Sequence, residues 1–245
     1  MITTILFDLD GTLLPMDQTV FTQEYFRLLT QKAALRGYES KKICDTTWRG
    51  TAAMVKNDGQ ATNKEVFWKV FLSVYGKDAE KDIPFFEEFY KNEFNDVARV
   101  CRKDPMAACI IKEAKYRGFR VALATNPLFP AAGTQNRIRW AGLRPEDFAL
   151  YTTYENSRYC KPNLHYYQAV ADALHCSPEA CLMVGNDVEE DMVAARLGMR
   201  VFLLTDCLIN SKNQEISSYP HGDFQDLLAF IKALPNPQKK DLTSI

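Results

Sequence analysis

Four short apolar runs, separated by helix-length segments, constrain this chain more than any other feature. Ile2 to Leu9 is apolar and β-branched and breaks at Gly11, and Phe119–Ala124, Ala180–Gly185 and Arg200–Leu204 have similar length and character. Runs of this kind suit central strands of a parallel sheet, buried on both faces. Helical patterns fall between and after them, at Pro105–Arg117, Pro130–Ala141, Asn163–His175, Glu189–Leu197 and Phe224–Leu234. Several open on proline or a side-chain cap and close near glycine, at Gly118, Gly142 and Gly198. Strand alternating with helix implies an α/β fold with a doubly wound, Rossmann-like parallel sheet.

Residues 17–99 break that alternation. They contain no strand pattern, and Pro84 is their only proline. Helical periodicity runs through Val20–Leu35, Lys41–Val55, Asn63–Tyr75 and Ile83–Val100, and this third of the chain holds 14 of the 29 aromatic residues. The expectation is an all-helical unit of about residues 16–99, inserted after the first strand, with the sheet core formed by residues 1–15 and 100–245. The segment Pro235 to Lys240 is expected to fray beyond the last helix.

Composition removes several function classes. Thirty Lys and Arg against 31 Asp and Glu leave a net charge of −1, which fits neither a nucleic-acid binder nor an acidic tail. No apolar run approaches the roughly 20 residues of a membrane span. The N-terminal segment lacks the basic region and cleavage site of a secretory signal. Seven cysteines, scattered and without a CxxC pair, argue for reduced thiols in the cytoplasm, and three distant histidines argue against a histidine metal site.

The chemistry concentrates where the first strand ends, in Asp8-Leu9-Asp10-Gly11-Thr12. Ligands of an open α/β sheet sit at the carboxyl ends of its strands. Two carboxylates two residues apart on a strand point the same way. Placing them side by side is unfavourable unless a cation or proton compensates, and a hard ion such as Mg²⁺ suits oxygen donors of this kind.

With Phe7 and Leu13 added, this segment resembles the first motif of the haloacid dehalogenase-like (HAD) hydrolase superfamily. Three more segments match in order: Leu123-Ala124-Thr125-Asn126, Lys161-Pro162, and Val184-Gly185-Asn186-Asp187 followed by Asp191. The helical insertion lies where the family places its type 1 cap. The resemblance implies a Mg²⁺-dependent phosphatase of small phosphorylated metabolites. Asp8 would be the nucleophile that forms an aspartyl-phosphate, and Asp10 the general acid and then base. Thr125 would donate to the phosphoryl group, the backbone N–H groups of Leu9 and Asn126 would help to cradle it, and Lys161 would neutralise its charge. Mg²⁺ would take the Asp8 carboxylate, the Asp10 carbonyl and the fourth-motif loop.

The fourth motif departs from the family's usual Gly-Asp start. Aligned without a gap, Asn186 takes the metal-ligand position; aligned on the aspartates, Asp187 does, and its full charge favours it. Asp191 would hold the loop or a metal-bound water, while Glu189 and Glu190 read as a solvated helix start. Asp10 separates phosphoryl transfer from C–Cl cleavage, in which no leaving oxygen needs a proton. In the cap, Arg49 within Trp48-Arg49-Gly50-Thr51 is a candidate contact to the substrate beyond its phosphate. Arg137 and Arg139 read as structural, on a helix leading away from the site, and His165 as packing or surface. A sugar phosphomutase would use the same Asp8 and Asp10; a non-catalytic regulatory protein fits only the altered fourth motif. The oligomer is expected to be a monomer or homodimer.

Overall fold

The computed structural model describes residues 1–237, so the part of the expected frayed tail at residues 238–240 lies outside the described residues. Strand β1 (Thr4–Phe7) is followed by helices α1 (Gln18–Ala34), α2 (Ser40–Val55), α3 (Asn63–Tyr75) and α4 (Ile83–Lys91), with 3₁₀ turns after α3 and α4. The chain then alternates through α5 (Pro105–Tyr116), β2 (Arg120–Leu123), α6 (Ala131–Trp140), α7 (Leu164–Ala173), β3 (Cys181–Gly185), β4 (Arg200–Leu204), the two-residue β5 (His221–Gly222) and α8 (Phe224–Ala233). The five strands form one parallel sheet in the order β2-β1-β3-β4-β5. β1 lies between the strands that follow it on either side, so its carboxyl end is the point where the chain's winding reverses.

Period-two side-chain alternation divides the sheet between two apolar clusters. Ile5, Phe7, Val121, Leu123, Val184 and Phe202 belong to the cluster that includes α5 and α8, while Leu6, Ala122, Met183 and Leu203 pack with Tyr166, Tyr167 and Val170 of α7. No described strand lies between β1 and α5. The two connections between that helical segment and the sheet run side by side: Met16 pairs with Cys101, and the Arg102 N–H donates to the Pro15 carbonyl at 2.9 Å. Aromatic packing joins the helices to the loop after β2, with Tyr25 and Phe129 centroids 5.6 Å apart.

Two elements differ from the periodic reading. The pattern over Ile83–Val100 is interrupted at Asn92 (φ −114°, ψ −88°), which divides α4 from a 3₁₀ segment at Glu93–Val100. The expected helix at Glu189 begins only at Met192, as a 3₁₀ turn after the Asp187–Asp191 loop. No described helix is long and apolar enough to cross a membrane.

Candidate active site

β1 delivers its chain into a tight turn. The Leu9 carbonyl accepts the N–H groups of Thr12 and Leu14, and Gly11 takes φ +85°, where a side chain is disfavoured. A Cβ on Gly11 would also overlap the Asn186 amide, so the turn and the loop after β3 need glycine to approach this closely. Asp8 emerges buried. Its Oδ1 accepts Lys161 Nζ at 2.9 Å and its Oδ2 the Thr12 hydroxyl at 3.2 Å. Lys161 also donates to Asp191 Oδ1 at 2.6 Å and is 1% exposed. Burial alone would lower the Lys161 pKa, but Asp191 and Asp8 hold the ammonium well above its ordinary value.

The loop after β3 is fixed by a neighbouring segment. Asn186 Nδ2 donates to the Cys207 carbonyl at 2.6 Å, and the Ile209 N–H donates to the Asn186 carbonyl at 2.9 Å. This turns Asn186 Oδ1 towards Thr12, whose hydroxyl lies 2.9 Å away and also contacts Asp8. Asp187 has a different job. Its Oδ1 accepts the N–H groups of Glu189 and Glu190 at 2.7 and 2.9 Å, and its own N–H donates to Asp191 Oδ2 at 3.0 Å.

At the end of β2, Thr125 is buried, and its carbonyl accepts the hydroxyls of Thr152 (2.6 Å) and Tyr166 (2.8 Å). Asn126 donates to Glu190 Oε2 at 3.0 Å, while its Oδ1 is buried without a partner. Asp10 binds Arg137 Nη1 through Oδ2, while Oδ1 is likewise buried and unpartnered. Burial raises the Asp10 pKa, Arg137 pulls it back, and the Asp8 charge raises it further. These groups open onto a cavity of about 390 Å³ that extends under α1, α2 and α3.

A family model described as haloacid dehalogenase-like hydrolase matches residues 2–198. The chain belongs to the haloacid dehalogenase-like hydrolases. Solved structures with the same fold include a HAD phosphatase from Thermococcus onnurineus (16% identity, 94% of this chain and 98% of that one, TM-score 0.59). An L-2-haloacid dehalogenase from Xanthobacter autotrophicus with chloropropionic acid covalently bound is similar at 15% identity, covering 96% of this chain and 100% of that one (TM-score 0.56). So is YfnB, a HAD hydrolase from Bacillus subtilis bound to magnesium (17% identity, 94% and 98% coverage, TM-score 0.54). No curated protein matches the chain in sequence.

This HAD hydrolase brings Asp8, Asp10, Thr125, Asn126, Asn186, Asp187 and Asp191 onto one cavity, with Lys161 directly behind Asp8. Leu9 packs its side chain into the core. Arg49 is exposed on α2 and does not reach the cavity wall, although Thr47, Trp48 and Thr51 do. Arg137 does not lead away from the site as its place in the sequence suggested. It is fully buried, binds Asp10 and lies with its guanidinium carbon 4.3 Å from the Phe129 ring centroid. Its spacing held the clue: it follows buried Thr134 by three residues and precedes buried Ala141 by four, on the inner face of α6. Arg139 stays on α6, donating to Asn136 at 3.1 Å. Glu190 is not solvated either; it lines the cavity, and burial pushes its carboxyl up to about 7.

Proposed function

We propose that this chain is a phosphatase of small phosphate monoesters with Asp8 as nucleophile, and that residues 16–99 act as the cap over its site. The observation that carries this reading is the pairing of Asp8 with Lys161 and Thr12 two residues before a second, partly buried carboxyl, Asp10, whose Oδ1 is buried and unpartnered. Expelling an alkoxide requires a proton and expelling chloride does not, so a carboxyl at position 10 fits ester cleavage rather than dehalogenation.

In the first step an Asp8 oxygen attacks phosphorus, the ester P–O bond breaks and the leaving oxygen takes the Asp10 proton. In the second, Asp10 takes a proton from water, whose oxygen attacks the aspartyl-phosphate; phosphate leaves and Asp8 is restored. Lys161 offsets negative charge on Asp8 and the phosphoryl oxygens, and the Thr125 hydroxyl and Asn126 stand on the wall to receive them. Lys161 is also held in place by Asp191, which fixes the nucleophile's orientation from behind.

Magnesium fits the donors at this point. The Asp8 carboxylate, the Asp10 carbonyl and Asn186 Oδ1 are all oxygens, the first and last within reach of a single hydroxyl, and five carboxylates line a cavity in which the phosphate itself would be anionic. When bound, the ion supplies positive charge against that repulsion. Asn186 is the better-placed side chain of the fourth motif, because its Oδ1 lies beside the Thr12 hydroxyl that also contacts Asp8, whereas Asp187 turns Oδ1 to the backbone N–H groups of its own loop.

The test is a panel of phosphate esters with magnesium and with a chelator, beside Asp8→Asn. Magnesium-dependent release of inorganic phosphate that Asp8→Asn reduces to background is expected. Full activity of Asp8→Asn, or an isomerised ester with no phosphate released, overturns the reading.

A further inference from the structure

The cavity that opens at Asp8 changes character as it runs beneath the helical segment. Every charged side chain on its wall is acidic and comes from the sheet side: Asp8, Asp10, Asp187, Glu190 and Asp191. Among the described residues that line it there is no lysine, arginine or histidine. The buried cations Lys161 and Arg137 stand behind the carboxylates, off the wall, and Arg49 is exposed elsewhere on α2. The helices contribute mostly rings and aliphatic groups, among them Tyr25, Ile43, Trp48, Phe67, Trp68 and Phe71, and the one amide they place there, Gln18, already donates to the Asp10 carbonyl at 3.3 Å.

Some of the hydroxyls on that wall already have partners. Tyr25 and Tyr90 bond each other at 2.8 Å, Tyr154 accepts Trp68 Nε1 at 3.4 Å, and Thr47 donates to the Ile43 carbonyl at 2.9 Å. Thr22 and Thr51 are the other hydroxyl side chains that the helices place there. On the helical side a polyol would meet only scattered polar groups, such as Thr22, Thr51 and the Tyr154 O–H, among rings and aliphatic side chains, and each hydroxyl left unpaired reduces binding by about tenfold. A carboxylate would be desolvated next to acidic groups with no cation opposite it.

We propose that the substrate is the phosphate ester of an uncharged, apolar alcohol, alkyl or ring-bearing, and that the cavity discriminates against sugar phosphates and phosphorylated hydroxy acids. The inference rests on the phosphatase reading above and names its substrate class. The volume of about 390 Å³ falls at the lower end of the roughly 300–1,000 Å³ of small-molecule pockets, enough for one compact apolar group rather than a long chain. Catalysis gains as well, because an apolar leaving group excludes water from the side of the site where Asp10 must keep its proton for the departing oxygen.

The experiment is kcat/KM for the full-length chain with magnesium on n-alkyl phosphates from ethyl to hexyl. From propyl onward these primary alcohols have nearly equal leaving-group pKa, so the trend reads the cavity and not intrinsic reactivity. Glycerol 3-phosphate, glucose 6-phosphate and phosphoglycolate are run beside them. Each methylene is expected to raise kcat/KM about fourfold until the cavity is filled, the constant for a buried CH₂. The three polar esters should fall below hexyl phosphate by tenfold or more. A flat alkyl series, or a polar ester that exceeds hexyl phosphate, overturns the inference and leaves the phosphatase reading standing. No phosphate released from any ester overturns the phosphatase reading, and the inference with it. Trp48→Arg supplies a second arm: Trp48 lines the cavity but is 53% exposed, so the fold tolerates the change. The hexyl-to-phosphoglycolate ratio should drop at least tenfold, and an unchanged ratio counts against the absent cation as the source of selectivity.

Discussion

Arg137 and Asp10 should prove energetically coupled, because each leaves the other a buried, uncompensated charge when removed. The Arg137 side chain is fully buried. Its Nη1 binds Asp10, its Nε donates to the Gly133 carbonyl at 3.3 Å and its Nη2 to the Thr134 hydroxyl at 3.3 Å. The last two partners belong to its own helix, so Asp10 is the only carboxylate bound to the guanidinium among the described residues. Breaking one side of a buried ion pair costs about 3–5 kcal/mol. The Asp10 side chain is 19% exposed, which lets some water relieve it and puts Arg137→Met near the lower end, about 3 kcal/mol. For a chain of this size that corresponds to a fall in Tm of roughly 6–12 °C. Asp10→Asn should cost a similar amount, since it strands the guanidinium beside Phe129. In the double variant the stranded charge is gone, and the combined loss should be smaller than the sum by about 2 kcal/mol or more. Urea unfolding of the four proteins at pH 7, with chelator present, measures the cycle. Additivity within about 0.5 kcal/mol would refute the coupling.

Three further outcomes test separate parts of the structure. Burial raises the Glu190 carboxyl from 4.5 to about 7, with Lys161 opposing and Asp191, Asp187 and Asp8 adding to the rise. A raised folded-state pKa gives stability that is full below the unfolded value and lost as pH climbs through 7. Glu190→Gln should therefore raise Tm at pH 8.5 in chelator and give no gain at pH 4, and an equal gain at both pH values would contradict the assignment. Gly185→Ala puts a methyl where the Asp191 carboxylate lies; it should loosen the contact to Lys161, lowering both Tm and turnover, and normal turnover would show that Lys161 does not need Asp191. Asp223 caps α8 by accepting the N–H groups of Gln225 and Asp226 at 2.7 and 3.0 Å. Asp223→Ala should cost about 1 kcal/mol, roughly 2–4 °C, with kcat/KM unchanged.

The elements that could be read from sequence were those whose cause is local. β1, β2, β3 and β4 are apolar runs stopped by turns, and burial on both faces makes such runs nearly continuous. β5 has only His221 and Gly222 at the sheet edge and carries no such run. The break at Asn92 escaped because Phe85, Phe86, Phe89, Phe94 and Val97 pack inward on both sides of it, so the apolar pattern continues where the backbone does not. Asp8, Asp10, Thr125 and the fourth-motif loop lie at strand ends, where the topology of an open sheet gathers side chains.

What could not be read was charge held across long separations. Arg137 meets Asp10 over 127 positions, and Lys161 meets Asp8 over 153. Lysine 161 was nevertheless recognisable because it stands in a motif, whereas Arg137 has only helical spacing to mark it. Glu190 shows the same limit from the other side. Glu189 and Glu190 resemble a solvated helix start, but the helical turn begins only at Met192, and the loop directs Glu190 to Asn126. Charge type could be read from the sequence; which charges are forced together depends on how the loops after β1, β2 and β3 converge. That convergence also makes the site asymmetric. Its two buried cations are committed to carboxylates, Arg137 to Asp10 and Lys161 to Asp8 and Asp191, and neither lines the cavity, whose charged side chains are all acidic.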